Sequence, residues 1–216
     1  MNKHRFKIVT LFASTLLLLG FTYTWDINIT EIGDFPLPLI EPLPINVGVY
    51  YGNDFRAYKK KQLNVYSQNV NSICNIQLGE ANIALFDYIL FNVFDDVTSI
   101  QQLPNNRHNF NNIDLIIEPT VSDYAYAVAE RADPEASAYI IYEIRFYSPD
   151  DMQITSWTIH GEGFIPPRFQ RKGPVLSRTW VVKLTQLAMR EVAAQFMTDF
   201  CNQKDIQTLF HEQCNQ

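Results

Sequence analysis

Between Tyr139 and Tyr147 the side chains alternate without a break, with Ile140, Tyr142, Ile144 and Phe146 on one side. Tyr139, Ile141, Glu143, Arg145 and Tyr147 fall on the other. A two-residue period sends these two sets to opposite faces of a strand, so the chain needs a sheet with one covered face and one mixed face. That requirement favours antiparallel pairing, since an all-parallel sheet is covered on both sides. Ser148-Pro149-Asp150-Asp151 supplies turn chemistry directly afterwards and leads into a strand from Met152 to Gly161. Val121 to Ala129 repeats the alternation, with Tyr124, Tyr126 and Val128 facing one way.

The other segments fit the same sheet. Ile45 to Tyr51 reads as a first strand closed by Gly52-Asn53-Asp54, and Leu63 to Tyr66 as a second behind Lys59-Lys60-Lys61. Ile113 to Glu118 is a short strand ended by Pro119. From Ala81 to Val97 the apolar residues Ile83, Phe86, Ile89, Leu90, Val93, Phe94 and Val97 follow helical spacing. A second helix is expected from an N-cap at Ser177 to about Asn202, with Trp180, Leu184, Leu187, Ala188, Val192, Phe196 and Phe200 as its buried stripe. Gln101 to Asn112 and Gly161 to Pro174 are expected loops. The expected class is α+β: a mostly antiparallel sheet with two helices packed on one face, preceded by an N-terminal hydrophobic helix.

That first helix is also an address. Lys3, Arg5 and Lys7 precede an uncharged stretch from Ile8 to Trp25 that contains Leu16-Leu17-Leu18-Leu19. A basic region before an apolar one is the pattern of a secretory signal peptide. No small-residue cleavage site follows, and the uncharged run reaches the lower limit for a membrane span. Residues 1–25 therefore read as signal peptide or anchor, 26–44 as a Pro-rich tether, 45–202 as the globular domain and 203–216 as a tail. Export would place the domain in the periplasm, tethered to the inner membrane by residues 8–25. Oxidising surroundings there would allow a disulfide between Cys201 and Cys214. The bridge needs the chain to turn back, because an unbroken helix would hold the two about 20 Å apart, and no Gly or Pro lies between them. Free thiols are therefore the reading the sequence favours, with the bridge as the alternative.

Little in the sequence carries chemistry. Glycine-loop, nucleophile-elbow and metalloprotease motifs are absent, and His4, His108, His160 and His211 do not fall at metal-ligand spacing. No catalytic residue, metal site or cofactor is expected. His160 with Glu162 could be imagined as an acid–base pair and Cys74 as a nucleophile, but strand-end polar pairs and isolated thiols are more often structural. The formal charge of −6 argues against a nucleic-acid partner. Within it lies one positive segment: residues 161–190 hold Arg168, Arg171, Lys172, Arg178, Lys183 and Arg190 against Glu162 alone. Arg168, Arg171, Lys172 and Arg178 form the candidate binding patch, for anionic lipid or an acidic protein surface. The competing reading is a solvated loop paired with the domain's own carboxylates.

The layout resembles a known group. A basic-apolar start with Leu17-Leu18-Leu19-Gly20, a Pro-rich stretch, then Leu43-Pro44-Ile45-Asn46-Val47-Gly48-Val49-Tyr50-Tyr51 and Asp114-Leu115-Ile116-Ile117-Glu118-Pro119, is similar to small uncharacterised bacterial envelope lipoproteins. These are the ABC-transport auxiliary and YajG-like lipoproteins. The resemblance implies a periplasm-facing accessory or adaptor domain with an envelope protein partner and no catalytic residues to carry over. One departure matters: Phe21 stands where a lipobox requires cysteine, so the thiol that would be acylated is missing. A non-catalytic envelope accessory protein is the expected function; a periplasmic binding protein for a lipid or other amphipathic ligand is the alternative.

Overall fold

The computed structural model describes residues 23–33, 35, 41–66, 70–104, 110, 112–127, 136–150, 152–166 and 178–214. The expected N-terminal hydrophobic helix lies outside them. Among the described residues, no helix is long and apolar enough to cross a membrane.

Two sheets share one core. The larger holds five strands in the order β5-β2-β6-β7-β8: β2 (Leu43–Tyr50), β5 (Phe94–Ile100), β6 (Leu115–Ala127), β7 (Ala136–Tyr147) and β8 (Gln153–Ile165). The smaller has the order β1-β4-β3, from β1 (Tyr23–Asn28), β3 (Lys59–Tyr66) and β4 (Val70–Gln77). The long ladders β6–β7, β7–β8 and β3–β4 are antiparallel, whereas β1–β4, β2–β5 and β2–β6 run parallel. A single turn α1 (Asn53–Arg56) precedes the two main helices, α2 (Gly79–Val93) and α3 (Arg178–Asp199). The fold is α+β, with α2 and α3 on one face of the large sheet.

The alternation in β7 behaves as its pattern demands. Ile140, Tyr142, Ile144 and Phe146 are fully buried under the helices. Phe55 and Phe86 pack against Tyr142, and Phe94, Phe196 and Phe146 gather around Phe200. Ser148 N–H donates to Met152 O at 2.8 Å and closes the β7–β8 turn.

Several boundaries differ from those expected. β6 does not stop at Pro119. That residue lies two beyond Ile117, the last β6 residue paired with β2, where a missing N–H costs least, and a bulge follows between Val121 and Asp123. Helix α2 ends at Val93, and Phe94 to Val97 open β5 instead. β8 runs through Gly161-Glu162-Gly163 to Ile165, into the expected loop. Its glycines are the reason. A Cβ at Gly161 would stand 2.2 Å from Ala188 O, and one at Gly163 1.9 Å from Leu184 O, so α3 lies directly on this strand's backbone. Two residues of strand advance about 6.6 Å and four residues of helix about 6 Å, so the two glycines match the step from Leu184 to Ala188.

The expected tether and tail are also largely folded. β1 pairs with β4, Ile27 and Ile29 are buried, and Ile29 N–H donates to Gln77 O. The chain then crosses the helices. Gln186 Nε2 donates to Glu31 O, Gly33 turns with φ of 78°, and Phe35 meets the ring of Tyr88. At the other terminus α3 gives way to a 3-10 turn at Phe200–Asn202, and Gln203 is extended before α4 (Lys204–Leu209) and α5 (His211–Cys214). That turn, made without Gly or Pro, brings Cys201 and Cys214 to a Cα separation of 5.4 Å and a disulfide.

Candidate functional site

Of the four candidate basic residues, only Arg178 is among those described; it is exposed and begins α3. Arg168, Arg171 and Lys172 lie outside the described residues. Lys183 and Arg190 are exposed on the same helix. His160 and Glu162 share the open face of β8, with Nε2 and Oε1 3.6 Å apart, beyond hydrogen-bond reach. Their main chains are held by α3: Gln195 Nε2 donates to His160 O, and Glu162 N–H donates to Glu191 Oε2. Cys74 is buried in β4. Among the described residues, no cluster of His, Cys, Asp or Glu could hold a metal ion.

The buried and half-buried polar contacts instead concentrate where elements meet. β6 leaves β2 after Ile117, and the far half of its edge faces β3. There Lys60 Nζ donates to Asp123 Oδ1 at 2.6 Å, and Tyr139 OH donates to Asp123 Oδ2 at 2.8 Å. Gln62 works as a strand substitute, donating to Tyr126 O at 2.6 Å and accepting from Tyr126 N–H at 3.3 Å. This seam joins the two sheets side by side. Its residues are legible only as a pair of alternations, since nothing in the local sequence links Lys60 to Asp123.

The hydrogen bond from Lys60, then that from Tyr139, holds the Asp123 carboxyl below its ordinary range. A depressed carboxyl adds stability above its unfolded value of ~4 and loses it as pH falls through the folded value. Asp123→Asn is therefore expected to cost about 1 kcal/mol at pH 7, discounted for partial exposure. Urea denaturation should show that difference shrinking by pH 3. An equal difference at both pH values would rule out the ionic tie.

On the open face of the large sheet, Arg145 grips Glu143 with two hydrogen bonds, at 3.2 and 3.0 Å, and lies 3.6 Å from Glu118. Tyr147 OH donates to Glu118 Oε2 at 2.8 Å, and burial followed by that bond pushes the phenol up to about 12. Under the helices, Thr185 donates its single proton to Val181 O, so Tyr124 OH is the donor in their 2.7 Å contact. Tyr142 OH donates to Asn82 Oδ1 at 2.7 Å, while Asn82 Nδ2 is buried without a partner. Burial is the first cause that raises the Tyr124 and Tyr142 hydroxyls. These groups tie sheet to helix in their neutral forms. Tyr51 does the same at the end of β2, donating to Asp87 at 2.7 Å under the Arg56 guanidinium.

No family model and no curated protein matches the sequence. Among solved structures the chain is similar to protein XCC0632 from Xanthomonas campestris, described under family model DUF330. Identity is 12% and the TM-score 0.48, over 87% of this chain and 99% of that one. It is also similar to the hypothetical protein CT253 from Chlamydia trachomatis, at 10% identity and a TM-score of 0.34, over 73% of this chain and 99% of the other.

Proposed function

We propose that this chain is an exported, non-catalytic envelope protein, held at the membrane through its N-terminal segment and acting as an accessory or adaptor subunit. The observation that carries the reading is the Cys201–Cys214 disulfide in a chain that opens with a basic region and an apolar stretch. Structural disulfides persist in oxidising compartments, and that N-terminal pattern directs export to one. The hydrogen bonds of Asp123, Lys60, Tyr124, Tyr142 and Tyr147 add support, because each ties one element to another.

Fractionation of cells expressing the full chain, followed by intact mass, tests this. The expected result is recovery with membranes and a mass without a diacylglyceryl adduct, since Phe21 offers no thiol. Recovery in the cytosol would overturn the reading.

A further inference from the structure

We propose that one pole of the molecule, formed by the start of β1, the end of β3, the end of β8 and the start of α3, rests on the surface of the lipid bilayer. The proposal rests on the membrane-held reading above and adds which end of the domain faces the membrane.

These four ends coincide because of strand direction. Lys60 meets Asp123 and Gln62 meets Tyr126, so β3 and β6 run the same way. β7 opposes β6, and β8 opposes β7, which brings Ile165 to the same end as Ala127. β1 is parallel to β4, and β4 is antiparallel to β3, so Tyr23 also lies at that end. Gly161 meets Ala188 while Gly163 meets Leu184, so α3 runs against β8 and begins at the end where β8 finishes.

The surface changes character toward this pole. Across the outer face of the small sheet, the row Asp26–Asn75–Lys61 is followed, two residues closer, by Thr24–Ile73–Leu63. Leu63 is 58% exposed, and residues 62–77 hold no charged side chain. At the end of β8, Phe164 is 47% exposed on the face turned away from α3, and Arg178 is exposed where α3 begins. Exposed apolar side chains and a cation at one end of a domain suit the interface between headgroups and acyl chains.

Length says what covers the pole. β1 already begins at Tyr23, so only Ile8 to Thr22, fifteen residues, remain of the uncharged stretch. As a helix they would reach ~22 Å, short of the ~30 Å hydrocarbon core. A short span is accommodated by local thinning or by drawing its flanking residues into the interface. Those flanking residues are the first of β1, so shortening of the span draws this end of the domain toward the headgroups.

The test uses the full chain reconstituted in phosphatidylcholine–phosphatidylglycerol vesicles containing spin-labelled lipid. A fluorophore is attached at Leu63→Cys, Phe164→Cys or Met152→Cys. Cys74 is buried and Met152 is 67% exposed at the opposite pole. Expected is a blue shift with lipid quenching at 63 and 164, and neither at 152. If the protein floats with vesicles but 63 and 164 match 152, the assignment of the pole is overturned while the membrane-held reading survives. If the protein does not float, that reading fails first. Shielding at 63 and 164 without vesicles would overturn the proposal in favour of self-association.

Discussion

Gly163→Ala is expected to destabilise the domain by about 3 kcal/mol or more, although it adds only one methyl group. Overpacking of a core usually costs less, because side chains can rotate away. Here the added carbon would meet Leu184 O at 1.9 Å and Ala188 N at 2.9 Å, both backbone atoms of α3. Relief requires the helix to lift, and lifting α3 separates Phe196 from Trp157 and disturbs its stacking on Phe200. Gly52→Ala is the control. A Cβ there finds its nearest neighbour, Tyr50 Cε1, at 3.8 Å, and the change should stay within about 0.5 kcal/mol. Chemical denaturation of both variants checks the pair. Equal midpoints would mean that α3 does not rest on β8 as described.

Cys214→Ser is the second large effect. The disulfide closes a loop of sequence separation 13, for which chain entropy gives about 3 kcal/mol. What it fastens is a real part of the core: Phe200 and Ile206 are buried, and Phe210 packs against the cluster from outside. The variant and the reduced wild type should melt together, below the oxidised protein. Indistinguishable melting of oxidised and reduced wild type would contradict this.

The strands with a covered face were legible because each residue of the pair Tyr142 and Glu143 has an unambiguous side. β5 was not, for a physical reason. Phe94, Val97 and Ile100 are its more buried residues, and spacing of three is what a helix also shows. β4 was missed because its outward side mixes Ile73 with Asn75 and Gln77, and among its described side chains only Cys74 and Ile76 are fully buried. Gly161 and Gly163 looked like the start of a loop, when their missing side chains are what let α3 approach. The seam of Lys60, Gln62, Asp123 and Tyr126 joins residues more than sixty positions apart and has no local signature. The Cys201–Cys214 pairing turned on whether the chain reverses without Gly or Pro, which depends on the buried anchors Phe200 and Ile206 rather than on any turn residue.

Export to an oxidising compartment is tested most directly by the state of the three cysteines in intact cells. Acid quenching, denaturation and alkylation without reductant should label one thiol, Cys74, and the same treatment after reduction should label three. Three labelled thiols without reduction, in protein taken from growing cells, would contradict an exported domain.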